Sequence, residues 1–260
     1  MSEVTERPRK AVQVLDCPVD WLTMDDALGW CLDTCRGDGP ARIVLTVNAS
    51  HLVDMQGNAD LREACLAADL VTADGMSIVW ASRLLGQPLP ERVAGVDLLT
   101  HLLRLGEQQG LRFFFLGAKP EVLTRFLSVC RRRHPKLEVA GWRDGYFTAE
   151  DHAAVVQDIA ASRPDILFVA MPSPFKDIWC EQYRDKLGAR LIIGVGGSFD
   201  VLAGVVPRAP SWMQRVGLEW GWRLLREPRR LWRRYLFGNS RFTSLIMRDW
   251  LRGRRPDYQS

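Results

Sequence analysis

IVLTVNASHLVDMQGNADLREACLAADLVTADG, residues 43–75, decides the fold. It opens on a mainly apolar run, Ile43–Val47, passes through a segment of helical period at Asn58–Ala68, and returns to a second such run at Leu70–Ala73. Short apolar runs alternating with longer helical segments are the signature of an α/β sheet. The alternation continues downstream. Helices are expected over Met76–Leu85 and Val96–Gln109, and strands over Arg112–Leu116, Leu137–Ala140, Asp165–Ala170 and Arg190–Val195. Pro120 suits the first turn of a helix. Thr148, with Asp151 in the capping-box position, suits the start of a helix that runs to Ala161.

The chain has 260 residues, 47% of them hydrophobic, which is enough for one large domain and an appendage. Residues 1–10 read as disordered, 11–206 as the α/β domain, and 207–260 as the appendage. The proline-bounded stretch Ala203-Gly-Val-Val-Pro-Arg-Ala-Pro210 is the hinge between the last two. No stretch of about eighteen uncharged apolar residues occurs, so no spanning helix is expected. The start, MSEVTERPRK, has no apolar core of a signal peptide. A cytoplasmic protein is expected, with any membrane role peripheral. The six cysteines are scattered, and reduced, buried thiols suit them better than a zinc site. His51 follows a strand end, where it is near a site or makes a local polar contact.

The tail differs from the body in charge. Residues 211–260 hold twelve arginines, no lysine and four acids, a net of +8, so residues 1–210 carry 4 − 8 = −4. Five of the ten tryptophans also lie there. Arginine forks pair with phosphate, and tryptophan favours the boundary between water and lipid. Helices are expected over 211–226, 228–237 and 240–252, with a break at Pro228.

In an open α/β sheet, ligands bind outside the carboxyl ends of the strands. The residues there are Thr46 and Asn48, Asp74-Gly75, Gly117, Pro172–Lys176 and Gly194–Asp200. Asp74 is either a general base exposed in a cleft or a helix N-cap. Thr46 and Asn48 sit at alternate positions, so both face one side, to hold a ligand or to cap the strand end. Gly194-Val-Gly-Gly-Ser-Phe-Asp200 lets backbone N–H groups approach a phosphate or is a tight turn. It is not the dinucleotide fingerprint, because Phe199 replaces the third glycine. Arg92 pairs with Asp97 or faces a ligand.

Taken in order, these stretches resemble the WecG/TagA/CpsF glycosyltransferases, glycosyltransferase family 26. The resemblance runs through Thr46-Val-Asn48, Ala68–Gly75, Pro90–Leu98, Phe115-Leu-Gly117, Gly145-Tyr-Phe147, Gly194–Asp200, Ala203-Gly204, Arg208-Ala-Pro210, Leu218-Glu-Trp220 and Arg223–Arg233. It implies a Rossmann-like, mostly parallel sheet with flanking helices and a C-terminal helical appendage that closes the active site and contacts membrane. It implies an inverting enzyme that moves a sugar from a UDP-sugar (UDP-N-acetylmannosamine, its uronic acid or UDP-glucose) onto an undecaprenyl-diphosphate-linked saccharide. The setting implied is exopolysaccharide or cell-envelope glycan assembly at the inner face of the membrane. Carried over, Asp74 is the catalytic base, with Thr46 and Asn48 beside it. Arg223, Arg230 and Arg233 neutralise the leaving UDP, and Gly75, Arg92, Gly95, Lys176, Gly196, Gly197 and Asp200 line the donor. No metal or other cofactor is implied, nor any nucleic acid partner, and the apolar face of the tail offers a surface for self-association. One departure stands out: Lys176 and Asp177 occupy positions where the family usually shows glutamine and glutamate. Lys176 is then either a contact to a donor phosphate or sugar carboxylate, or a surface lysine. The rival readings are a non-catalytic membrane- or nucleic-acid-binding protein that uses the basic tail, and a redox enzyme.

Overall fold

The computed structural model describes residues 10–210, 213, 218–226 and 228–252, with the side chains of Trp220, Arg223 and residues 228–237 outside the description. Residues 1–9, expected to be disordered, lie outside it, as does most of 211–217, expected to be helical.

A short hairpin, β1 (Ala11–Val14) and β2 (Cys17–Asp20), precedes the main sheet. The main strands are β3 (Arg42–Val47), β4 (Leu70–Ala73), β5 (Arg112–Gly117), β6 (Glu138–Arg143), β7 (Ile166–Ala170) and β8 (Leu191–Gly194). They form one parallel sheet in the order β4-β3-β8-β7-β5-β6. The expected strands are all present, and the one expected at 137–140 extends to Arg143. Every residue of β4, β7 and β8 is buried, as a parallel sheet covered on both faces requires.

Helices cover both faces. Ile43, Leu45 and Val47 point to one face, packed by α2 (Ala49–Met55), α3 (Ala59–Ala67), α4 (Met76–Leu84), α7 (His152–Ser162), α8 (Phe175–Tyr183) and the hairpin. Val44 points to the other, packed by α1 (Met24–Arg36), α5 (Gly95–Gln109), α6 (Pro120–Arg133) and α9 (Ser198–Leu202). On this second face Phe113, Phe115 and Phe168 stack at 6.1 Å between ring centres, and Phe126 stacks on Phe199 at 4.3 Å. Thr148 and Asp151 form the expected capping box, though the first turn is 3-10 and α7 proper starts at His152. The turn into α6 needs a glycine. Gly117 has φ of 122°, and a Cβ there would lie 2.4 Å from the Ala170 carbonyl oxygen.

The tail corrects one expectation. Beyond α10 (Glu219–Arg226), the two helices expected over 228–237 and 240–252 are a single 24-residue helix, α11 (Pro228–Leu251), with Pro228 at its first position. Gly238 does not break it. A Cβ at Gly238 would lie 3.5 Å from Ser50 Oγ, an ordinary contact distance, so α11 packs beside the start of α2 here. One and two turns further on, Phe242 and Ile246 are buried in the same cluster as Leu52 and Val53. No helix of the described residues is long and apolar enough to cross a membrane.

The tail helix is therefore part of the core, and Phe242→Ala is expected to destabilise the protein by about 3 kcal/mol. Urea unfolding followed by fluorescence and by circular dichroism measures this. A change within error would mean that α11 docks without contributing to the fold.

Candidate active site

Because all six strands run parallel, their carboxyl ends share one edge, and the expected site residues gather at β4, β3 and β8. The Asp74 N–H donates to the Val47 carbonyl at 2.8 Å, which ties the end of β4 to the end of β3. Asp74 is half-buried. The N-cap position of α4 is held by Gly75, not Asp74. Asn48 follows β3, keeps an extended backbone and caps α2, its Oδ1 accepting from the His51 N–H at 3.2 Å. A Cβ on Gly75 would sit 3.8 Å from Asn48 Cβ, so Asp74-Gly75 and Asn48 are neighbours.

Thr46 is 6% exposed, and its hydroxyl donates to the Gly194 carbonyl at 3.0 Å, from β3 to β8. The helix after β3, α2, leaves on one face of the sheet, and the helix after β8, α9, leaves on the other. The chain therefore diverges just outside the Thr46–Gly194 bond, in the way that opens a ligand crevice at a strand-order switch. In the turn that follows β8, Gly196 has φ of 51°, and a Cβ on Gly196 or Gly197 would meet nothing within 4 Å. Both glycines face open space. Asp200 is half-buried on α9, and its carbonyl accepts from the Val205 and Val206 N–H groups.

The segment before α5 is laid along the outer side of β4. The Val93 N–H donates to Ala73 O at 3.0 Å, and the Thr72 hydroxyl donates to Val93 O at 3.0 Å. This brings Arg92 beside the end of β4 and the first turn of α5 over Thr46. A Cβ on Gly95 would lie 3.2 Å from Thr46 Oγ1, so glycine is what lets α5 begin there. Arg92 does pair with Asp97, at 3.2 Å, but it also donates to Glu219 Oε2 at 2.7 Å. Arg208 donates to the same Asp97 carboxylate at 2.6 Å, within reach of both its oxygens. Two guanidinium groups thus share one carboxylate, and the first of them reaches into α10.

The tail is held at two points: by Glu219 on Arg92, and by Gly238 over Ser50, two residues beyond Asn48. Arg223 lies on the backbone of α10, and Arg230 and Arg233 lie on α11 between these anchors; their side chains are outside the description. Trp222 Nε1 adds a bond to Pro207 O at 3.1 Å.

Lys176 is no surface lysine. It is 4% exposed, and its ammonium is bonded to Asp177. All six cysteines are free and buried, as expected, and among the described residues no metal-binding cluster forms. Sequence reasoning named Glu219, Arg208 and Asp177 within family stretches but gave none of them a partner. Glu219 carried a signal, since one of four acids among twelve arginines implies a specific cationic partner.

A family model described as "Glycosyl transferase WecG/TagA/CpsF family" matches residues 12–256. The chain is 36% identical over 215 residues to the N-acetylglucosaminyldiphosphoundecaprenol N-acetyl-beta-D-mannosaminyltransferase of Bacillus spizizenii, which covers 83% of this chain and 82% of the relative. It is likewise 36% identical over 194 residues to the Bacillus subtilis protein of the same name, with 75% of each covered.

A half-buried ion pair of this kind is worth about 1 kcal/mol, or about a fivefold change in the population of an open state. Glu219→Gln is therefore expected to speed tryptic release of the tail about fivefold when reclosing is fast. Equal rates in the two proteins would count against Glu219 as an anchor.

Proposed function

Because the chain belongs to the WecG/TagA/CpsF glycosyl transferase family, we propose that it moves a sugar from a UDP-sugar onto a saccharide carried on undecaprenyl diphosphate. Family membership sets aside the redox and non-catalytic readings. The names of the two Bacillus relatives favour N-acetylmannosamine as the transferred sugar, over its uronic acid or glucose, and N-acetylglucosaminyl-diphosphoundecaprenol as the acceptor. The product serves an exopolysaccharide or another cell-envelope glycan.

The observation that carries this reading is the meeting of Asp74, Asn48, Thr46 and an open glycine turn on one sheet edge, with an arginine-rich strap anchored on either side of it. In the proposed reaction Asp74 removes the proton from the acceptor hydroxyl. The hydroxyl oxygen attacks the anomeric carbon from the face opposite the diphosphate, the bond from that carbon to the diphosphate oxygen breaks, and the configuration inverts. UDP leaves with the bonding pair. Arg92, on the segment before α5, and Arg223, Arg230 and Arg233 on the strap neutralise the charge that builds on it. Gly75 and Gly95 let backbone come close to the ligand, as do Gly196 and Gly197 near Asp200. Arginine then does the work that a divalent cation does in other transferases, so the reaction needs no metal.

Residues 11–206 are the catalytic domain on this reading, and 207–260 the appendage that completes it. Leu225, Trp250 and Leu251 are exposed on the strap and at the end of α11, among arginines. Aromatic and aliphatic side chains with arginine suit the surface of an anionic membrane, where the lipid acceptor lies. Trp212 is outside the described residues, as is the side chain of Trp232.

UDP release from UDP-N-acetylmannosamine in the presence of a prenyl-diphosphate-linked N-acetylglucosamine tests the reading, with UDP-glucose and the uronic acid donor as comparisons. Asp74→Asn is expected to lower kcat by about 10²–10⁴-fold, the usual contribution of a general base. Full transfer by that variant would remove Asp74 from the mechanism. Truncation after Val206, which also strips Phe242 and Ile246 from the core, is expected to abolish transfer and to lower the melting temperature, read by the same assay and by circular dichroism.

A further inference from the structure

Directly behind the reacting edge lies a buried ion pair. Lys176 and Asp177, in the first turn of α8, are 4% and 1% exposed and bonded to each other. The Lys176 stem runs under Gly194, where a Cβ would lie 3.2 Å from Lys176 Cε. Gly194 is the residue whose carbonyl holds the Thr46 hydroxyl. Asp177 Oδ2 is buried without a hydrogen bond among the described residues and stands 3.8 Å from His51 Nε2, which itself lies 3.3 Å from Cys65 Sγ. The other ring nitrogen of His51 lies 3.4 Å from Ser173 Oγ, and its backbone N–H donates to the Asn48 side chain. Burial works to raise the Asp177 carboxyl, but the Lys176 and His51 charges outweigh it and hold the group below the usual carboxylate range.

Three strand ends meet at this pair. β3 reaches it through Asn48 and His51, β7 through Ser173–Asp177, and β8 through Gly194. An ion pair is an inefficient way to fill such a space, since apolar residues of the same size are often equally or more stabilising. What the pair supplies and apolar residues do not is direction. We propose that Lys176 and Asp177, braced by His51, are positioning residues that fix Thr46 and Asn48 relative to the Gly194–Gly197 turn and do not touch the substrates. This rests on the reading of Thr46, Asn48 and Asp74 as the reacting edge. Misplacement of about 1 Å at such an edge is enough to cost about 10²-fold in rate.

The test uses the full chain. Lys176→Met/Asp177→Leu removes both charges at similar volume. The expected result is a melting temperature at or above that of the wild type and a kcat lowered about 10²-fold. KM for the UDP-sugar should change much less than kcat, because no residue placed against the donor is replaced. Amide exchange at residues 46–51 and 194–197 should speed up. Wild-type kcat in the folded double variant would overturn the proposal. So would a raised KM with unchanged kcat, which marks Lys176 as a donor contact. Should the double variant not fold, His51→Gln decides, with a loss of kcat of up to about 10²-fold expected and wild-type kcat overturning the proposal. If the wild type itself releases no UDP with the lipid acceptor, the function reading fails. The exchange rates then still judge the pair, and unchanged exchange overturns it.

Discussion

The parallel pairing of β3 with β8, Ile43 opposite Ile192 and Leu45 opposite Gly194, is the constraint on which the rest depends. It joins the early half of the sheet to the late half across about 150 residues of chain, a non-local closure that only burial on both faces can offset. With that register set, Thr46 comes level with the Gly194 carbonyl, and the glycine turn begins beside Asn48. The β3–β4 pairing, Val47 opposite Ala73, then delivers Asp74 to the same edge. A slip of one residue in either pairing would turn Thr46 to the wrong face and separate the site.

The strap depends on this edge in turn. Arg92 is carried by a segment that lies on β4, and Ser50 sits in the first turn of the helix that follows β3. Both anchors of the tail are therefore set by the strands that hold Asp74 and Asn48. The acidic body and basic tail meet through particular carboxylates, Asp97 and Glu219, rather than through diffuse attraction.

Much of this was legible in the sequence, and what was not has physical reasons. The strands Ile43–Val47 and Leu70–Ala73 were plain because a doubly covered parallel strand is a mainly apolar run. The hairpin was missed because its turn uses Leu15 and Asp16 at positive φ, 52° and 62°, with neither glycine nor asparagine to announce it. Gly238-Asn239 fell between two expected helices, since glycine is a weak helix former, but burial of Phe242 and Ile246 carries one helix through it. Asn48 and Thr46 were legible as strand-end residues. Of their partners, His51 is a local one, three residues beyond Asn48, whereas Gly194 comes from another strand end, and no local spacing shows it. Lys176 was legible only as a departure from a pattern; its burial is a tertiary fact.

The bonds along the outer side of β4 have a further consequence. Val71 N–H is taken by the Asp20 carboxylate at 2.6 Å, and the next residues are occupied by the Val93 segment. That border of the sheet no longer offers a template for another chain. The opposite border is β6, whose ends carry Glu138 and Arg143 and whose Trp142 is half in solvent beneath Arg131. Charge at a sheet border discourages strand addition between copies. The chain thus guards both borders against aggregation by different means, and the one beside the reacting residues is closed by the same backbone that brings Arg92 to them.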